Sequence, residues 1–169
     1  AASDVYKRQL LASDQWLLRG RPSLAVSLGP RLFLAANVAL LIGAGARIYD
    51  YLYIWLYSET LPEGLTTIES AAPLWLWSLA LAAGAILVTI GSLDPPRLLA
   101  LMWGHLILFV VNLMIGVGSL VQQLSDADPG GLRLGTTVLM GTAAMSLIFA
   151  VATYYRREAL LELAQELNA

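Results

Sequence analysis

The chain has 169 residues, of which 58% are hydrophobic and 13% charged, about half the charged share of an ordinary soluble domain. Its formal net charge is −2 and it contains no cysteine, which excludes disulfides, thiolate metal sites, iron–sulfur clusters and cysteine nucleophiles. Four apolar stretches of about 20 residues would nearly fill this length, leaving no room for a second, soluble domain.

Residues 1–9, AASDVYKRQ, are similar to the SDVYKRQ string that adaptor read-through leaves in environmental assemblies. They carry no signal-peptide core and are set aside as artefact, which leaves the native N-terminus open. Residues 10–31 read as a cytoplasmic N-terminal arm, and residues 32–157 as the membrane domain.

The first apolar run follows Gly29, Pro30 and Arg31 and predicts a span over about 32–55. The second, over about 74–92, starts behind Pro73, a residue suited to a first helical turn. The third, over about 98–121, follows a DPP stretch in which Asp94 can cap exposed amides and Pro95 has no amide to leave unsatisfied. The fourth covers about 134–155. Gly and Pro cluster at 61–64, 91–96 and 126–131, where turns are expected. The tail at 158–169 carries Glu158, Glu162 and Glu166 on one stripe and reads as a cytoplasmic helical extension. Lipid offers the backbone no hydrogen-bond partners, so runs of this length must be helices. The predicted fold is an all-α integral membrane protein, a four-transmembrane-helix bundle with both termini cytoplasmic.

The orientation follows from basic residues in short loops. Arg19, Arg21, Arg31, Arg97, Arg156 and Arg157 fall on one side of this topology, and Arg133 alone lies in an opposite loop. The expected location is a bacterial inner membrane.

The stretch GARIYDYLYIWLYSE alternates aromatic and other residues like a strand, but it continues the first span. At 1.5 Å per residue, Arg47 lies about 24 Å and Asp50 about 28 Å beyond Arg31, just within a hydrocarbon thickness of roughly 30 Å. The two are three residues apart and are expected to pair on the helix surface. Around them Tyr49, Tyr51, Tyr53, Trp55 and Tyr57, with Trp75 and Trp77 at the start of the second span, are expected to anchor the interface as an aromatic belt.

Polar residues inside the spans sort by depth. Asn37, His105 and Ser146 fall about 9, 11 and 13 Å from the inner edge, one layer. Arg47 and Asp50, together with Asn112 and Thr142 at about 20 Å, make an outer layer. Such groups normally face the bundle interior, either as interhelical glue or as the lining of a hydrated path. Close packing is expected at the small-xxx-small pairs Ala39/Gly43 and Ala80/Gly84.

There is no P-loop, dinucleotide fingerprint, H-E-x-x-H or G-x-S-x-G motif. No catalytic, cofactor-binding or metal-binding residue is nominated, no enzyme activity is expected, and no basic patch suits nucleic acid. His105 is the sole histidine, so haem would need a second axial ligand from Met114 or Met145. The format of four helices, short loops and a charged tail is similar to that of small bacterial or phage membrane proteins, some holins among them. That resemblance covers no motif and transfers no residue. The chain is accordingly expected to be an accessory or scaffold subunit whose partners are the lipid bilayer and further copies or other membrane subunits. An oligomeric, holin-like pore lined by helices 1, 3 and 4 is the alternative, and a haem- or quinone-associated redox subunit a remote one.

Overall fold

The computed structural model describes residues 30–58, 65–93, 97–125 and 134–168. Among these residues all the regular structure is helical: α1 (Pro30–Tyr57), α2 (Thr67–Ser70), α3 (Leu74–Leu93), α4 (Leu98–Ser125) and α5 (Leu134–Asn168). Within them Phe33–Tyr57, Leu74–Leu93, Leu98–Ser125 and Thr136–Glu162 are each long and apolar enough to cross a membrane. These coincide with the four expected spans. The tail continues α5 without a break as far as Asn168.

The arm before Pro30, the Asp94–Pro95 cap, Arg133 and the turns at 61–64 and 126–131 lie outside the described residues. Of the turn expected at 91–96, residues Gly91, Ser92 and Leu93 are helical. Gly91 lies against the backbone of Leu101, where a Cβ would stand 2.5 Å from the Leu101 nitrogen. The glycine is there for contact between helices and not for a turn.

That contact belongs to a seam along α3 and α4. A Cβ on Gly104 would meet the Val88 nitrogen at 2.6 Å and the Gly84 carbonyl at 2.8 Å, and one on Gly84 would meet Leu108 at 3.0 Å. Pairings that run from Gly91 with Leu101 to Gly84 with Leu108 make the two helices antiparallel. Without a hydrophobic drive between helices in lipid, such backbone approach is what gains dispersion contact. Helix α4 continues this into α5, where Gly116 faces Met140 and Leu139.

Helix α1 is attached differently. It packs chiefly on α3, and only 17% of its most apolar stretch is buried, against 39% in α4. The two small-residue pairs separate accordingly. Gly84 is buried in the seam, whereas Ala39 and Gly43 face outward and a Cβ on Gly43 would meet nothing within 4 Å. The close packing expected at Ala39/Gly43 is not made within the chain: an apolar helix carries this spacing on whichever face its composition allows, and here that face points away from the bundle.

Candidate intramembrane polar sites

The inner layer is assembled inside the bundle. Asn37, His105 and Ser146 come from α1, α4 and α5, and their exposures are 1%, 0% and 0%. Aromatic rings hold the three helices together at this level. The Phe149 ring of α5 meets Phe33 of α1 edge-on with centroids 5.0 Å apart, and meets the His105 ring at 5.3 Å. Asn37 is one turn beyond Phe33, and Ser146 is one turn before Phe149, so the polar groups surround this aromatic contact. No direct hydrogen bond links the three side chains. The Asn37 amide, both His105 nitrogens and the Ser146 hydroxyl find no hydrogen-bond partner among the described residues. The site is a sealed polar cluster, with ring contacts in place of interhelical hydrogen bonds.

The outer layer does not assemble as expected. Asn112 is buried, but its Nδ2 donates to the Leu108 carbonyl of its own helix at 2.7 Å. Thr142 likewise donates to Val138 at 2.7 Å. Short polar side chains in a helix have this local acceptor one turn back and need no neighbour. Nor do Arg47 and Asp50 pair. Asp50 is exposed, and Arg47 turns to Tyr51 and Glu69.

Glu69 is the residue that depth and charge do not single out. In the one-turn helix α2, the Thr66 hydroxyl accepts from the Glu69 amide at 3.1 Å and Glu69 Oε2 accepts from the Thr66 amide at 2.9 Å. This reciprocal capping box fixes the carboxylate. Glu69 Oε1 accepts from the Tyr51 hydroxyl and lies 3.8 Å from Arg47 Nη1, which donates to the Tyr51 oxygen at 3.2 Å. The Glu69 carbonyl accepts from Trp77 Nε1 at 3.1 Å. One residue therefore joins α1, α2 and α3. Its sequence signal is the T-x-x-E spacing of Thr66 and Glu69.

The aromatic belt is corrected by the same contacts. Tyr51 and Trp77 are buried at 4% and 8% exposure and face Glu69, because each carries a polar atom that finds an acceptor there. Tyr49, Tyr53 and Tyr57 stay on the surface in one stack, with centroids 6.0 Å and 5.1 Å apart. Trp55 and Trp75 are exposed as well. A further polar link, not anticipated, joins α4 to α5: the Ser119 and Thr136 hydroxyls share a 2.6 Å hydrogen bond and Gln123 donates to Thr136.

A haem held by His105 with Met114 or Met145 does not fit this arrangement, since both methionines are exposed while the His105 ring is enclosed. Among the described residues no group of three or more His, Asp or Glu side chains is placed to hold a metal. No protein-family model matches the chain, and comparisons with curated proteins and with solved structures return no significant match.

Proposed function

We propose that the chain is a non-conducting accessory or scaffold subunit of a membrane assembly, held in a bacterial inner membrane with both termini cytoplasmic. The observation that carries this reading is the isolation of its two polar sites from one another. The Asn37, His105 and Ser146 site is enclosed by packing, and the Arg47 site is held by Tyr51 and Glu69 at the other end of α1. Between those levels Asn112 and Thr142 bond to their own helices. A selective conducting path is lined by polar groups or backbone that stand in for water, and two polar sites separated in this way support a packed, non-conducting bundle instead.

The outward face of α1 supports the scaffold role, because Ala35, Ala39 and Gly43 leave a smooth surface on which another helix backbone could approach. The basic-residue asymmetry supports the orientation.

The test is flux through liposomes that contain purified, folded protein over a range of densities. The expected result is no passage of ions or small dyes at any density. Conductance that changes with Arg47→Glu or His105→Ala would replace this reading with the oligomeric pore. Impermeant thiol labelling in cells tests the orientation: a cysteine at Ser70 is expected to react from outside and one at Gln165 is not.

A further inference from the structure

An open recess of about 340 Å³ lies beside the last turns of α1, lined by Arg47, Asp50, Tyr51, Tyr53 and Glu69 over an apolar floor of Ile54 and Leu65. We propose that this recess binds the zwitterionic headgroup of a phospholipid with a primary ammonium, of the phosphatidylethanolamine type. This inference does not depend on whether the chain conducts.

Depth comes first. Arg47 is 14 residues and Asp50 17 residues beyond Phe33, the start of the span, or about 21 and 25 Å along the helix axis. Against a hydrocarbon thickness of roughly 30 Å, the recess opens where acyl chains meet headgroups. Phospholipid is the solvent at that level, and the stacked Tyr49, Tyr53 and Tyr57 rings flank the opening.

The charges then select the headgroup. Arg47 is 29% exposed at its side chain, and its contacts to Tyr51 and Glu69 run through Nη1 alone. A guanidinium has five N–H donors in a planar fork suited to phosphate oxygens, so donors remain on the open side. Glu69 is fully engaged by Thr66, Tyr51 and Arg47. Asp50 is the carboxylate left available, exposed and in no ion pair or hydrogen bond among the described residues. It stands three residues from Arg47 on the same helix, yet the two do not close on each other.

A ligand with a phosphate and an ammonium bridges that gap, the phosphate on Arg47 and the ammonium on Asp50. The Tyr53 ring lines the recess and is half exposed, an aromatic wall beside the ammonium. An anionic headgroup would satisfy Arg47 but would meet two carboxylates. A choline headgroup has no N–H to donate to Asp50. The recess therefore matches a primary ammonium best.

The experiment uses the full chain in detergent micelles, titrated with dioleoyl phosphatidylethanolamine, phosphatidylcholine or phosphatidylglycerol, with retained lipid counted by native mass spectrometry. One phosphatidylethanolamine is expected to be retained about tenfold more strongly than either other lipid, the scale of one charge-assisted hydrogen bond. Asp50→Asn, a change at an exposed and unpaired side chain, is expected to abolish the preference over phosphatidylcholine with helix content and melting unchanged. Asp50→Glu is expected to keep it. Equal retention of the three lipids, a preference for phosphatidylglycerol or phosphatidylcholine, or an undiminished preference in Asp50→Asn would overturn the proposal. Soluble glycerophosphoethanolamine has the headgroup without acyl chains and is expected to compete poorly; displacement at equal concentration would overturn the assignment to a membrane lipid.

Discussion

Helices α3 and α4 meet backbone to backbone along their length, whereas α1 rests on the bundle through apolar side chains such as Leu41, Ala44 and Ile48 and adds aromatic and polar contacts at its two ends, and the contrast explains where polar chemistry accumulates. In the α3–α4 seam glycines bring backbone against backbone, with Gly104 set on Val88 and Gly84. No room is left for a polar side chain and none is needed. Helix α1 has outward-facing small residues and few buried positions. Beyond that apolar packing, it is fixed by the Phe33–Phe149 ring contact at one end and by the Tyr51–Glu69–Arg47 cluster at the other. In lipid, close packing and polar contact are both means of association; the α3–α4 pair relies on the first, and α4–α5 combines Gly116 packing with the Ser119–Thr136 hydrogen bond.

The largest effect is expected where a buried charge loses its mate. Glu69→Ala removes the acceptor of Tyr51, the capping partner of Thr66 and the counter-charge of Arg47 together. Loss of one partner from a buried pair costs about 3–5 kcal/mol, and partial exposure of Arg47 places this case at the lower end. Reversible unfolding in mixed micelles, read by circular dichroism, is expected to show it. A loss below about 1 kcal/mol would mean that the cluster does not hold α1.

A smaller effect is expected at the seam. Gly104→Ala puts a methyl against fixed backbone and is expected to cost about 1–3 kcal/mol, the range for overpacking. Gly43→Ala, the same change on the open face of α1, is expected to stabilise by up to about 1 kcal/mol through helix propensity. Equal penalties at the two sites, measured in the same assay, would erase the distinction between the seams.

The smallest effect belongs to the inner site. Because the Asn37 amide makes no hydrogen bond among the described residues, Asn37→Leu is expected to change stability by less than about 1 kcal/mol, or to raise it, since it removes unpaired polar atoms from the interior. A loss of about 2 kcal/mol would show that the amide bonds to His105 or Ser146 in the folded protein.

Much of this architecture is legible in the order of residues. Four apolar runs of membrane length dictate four helices, and rise per residue alone puts Asn37, His105 and Ser146 at one depth, where the bundle encloses them together. The outer layer departs from its sequence pattern for a local reason: depth does not say whether Asn112 or Thr142 bonds across the bundle or to a carbonyl one turn back. Sequence spacing favours Asp50 as the mate of Arg47, because only close charges are visible along a chain, whereas the actual partner belongs to a capping box and stands 22 residues later. The belt motif, likewise, gives the level of Tyr51 and Trp77 but not the direction each faces, which the Glu69 acceptors decide.

The most direct measurement is a pair of double-mutant cycles on unfolding free energy, one with Arg47→Gln and Glu69→Gln, the other with Arg47→Gln and Asp50→Asn. Residues in one polar network couple by about 0.5–3 kcal/mol, and residues with no shared contact add within about 0.5 kcal/mol. The arrangement described here predicts coupling above about 1 kcal/mol between Arg47 and Glu69 and additivity between Arg47 and Asp50. Coupling confined to Arg47 and Asp50, with Glu69 additive, would contradict it.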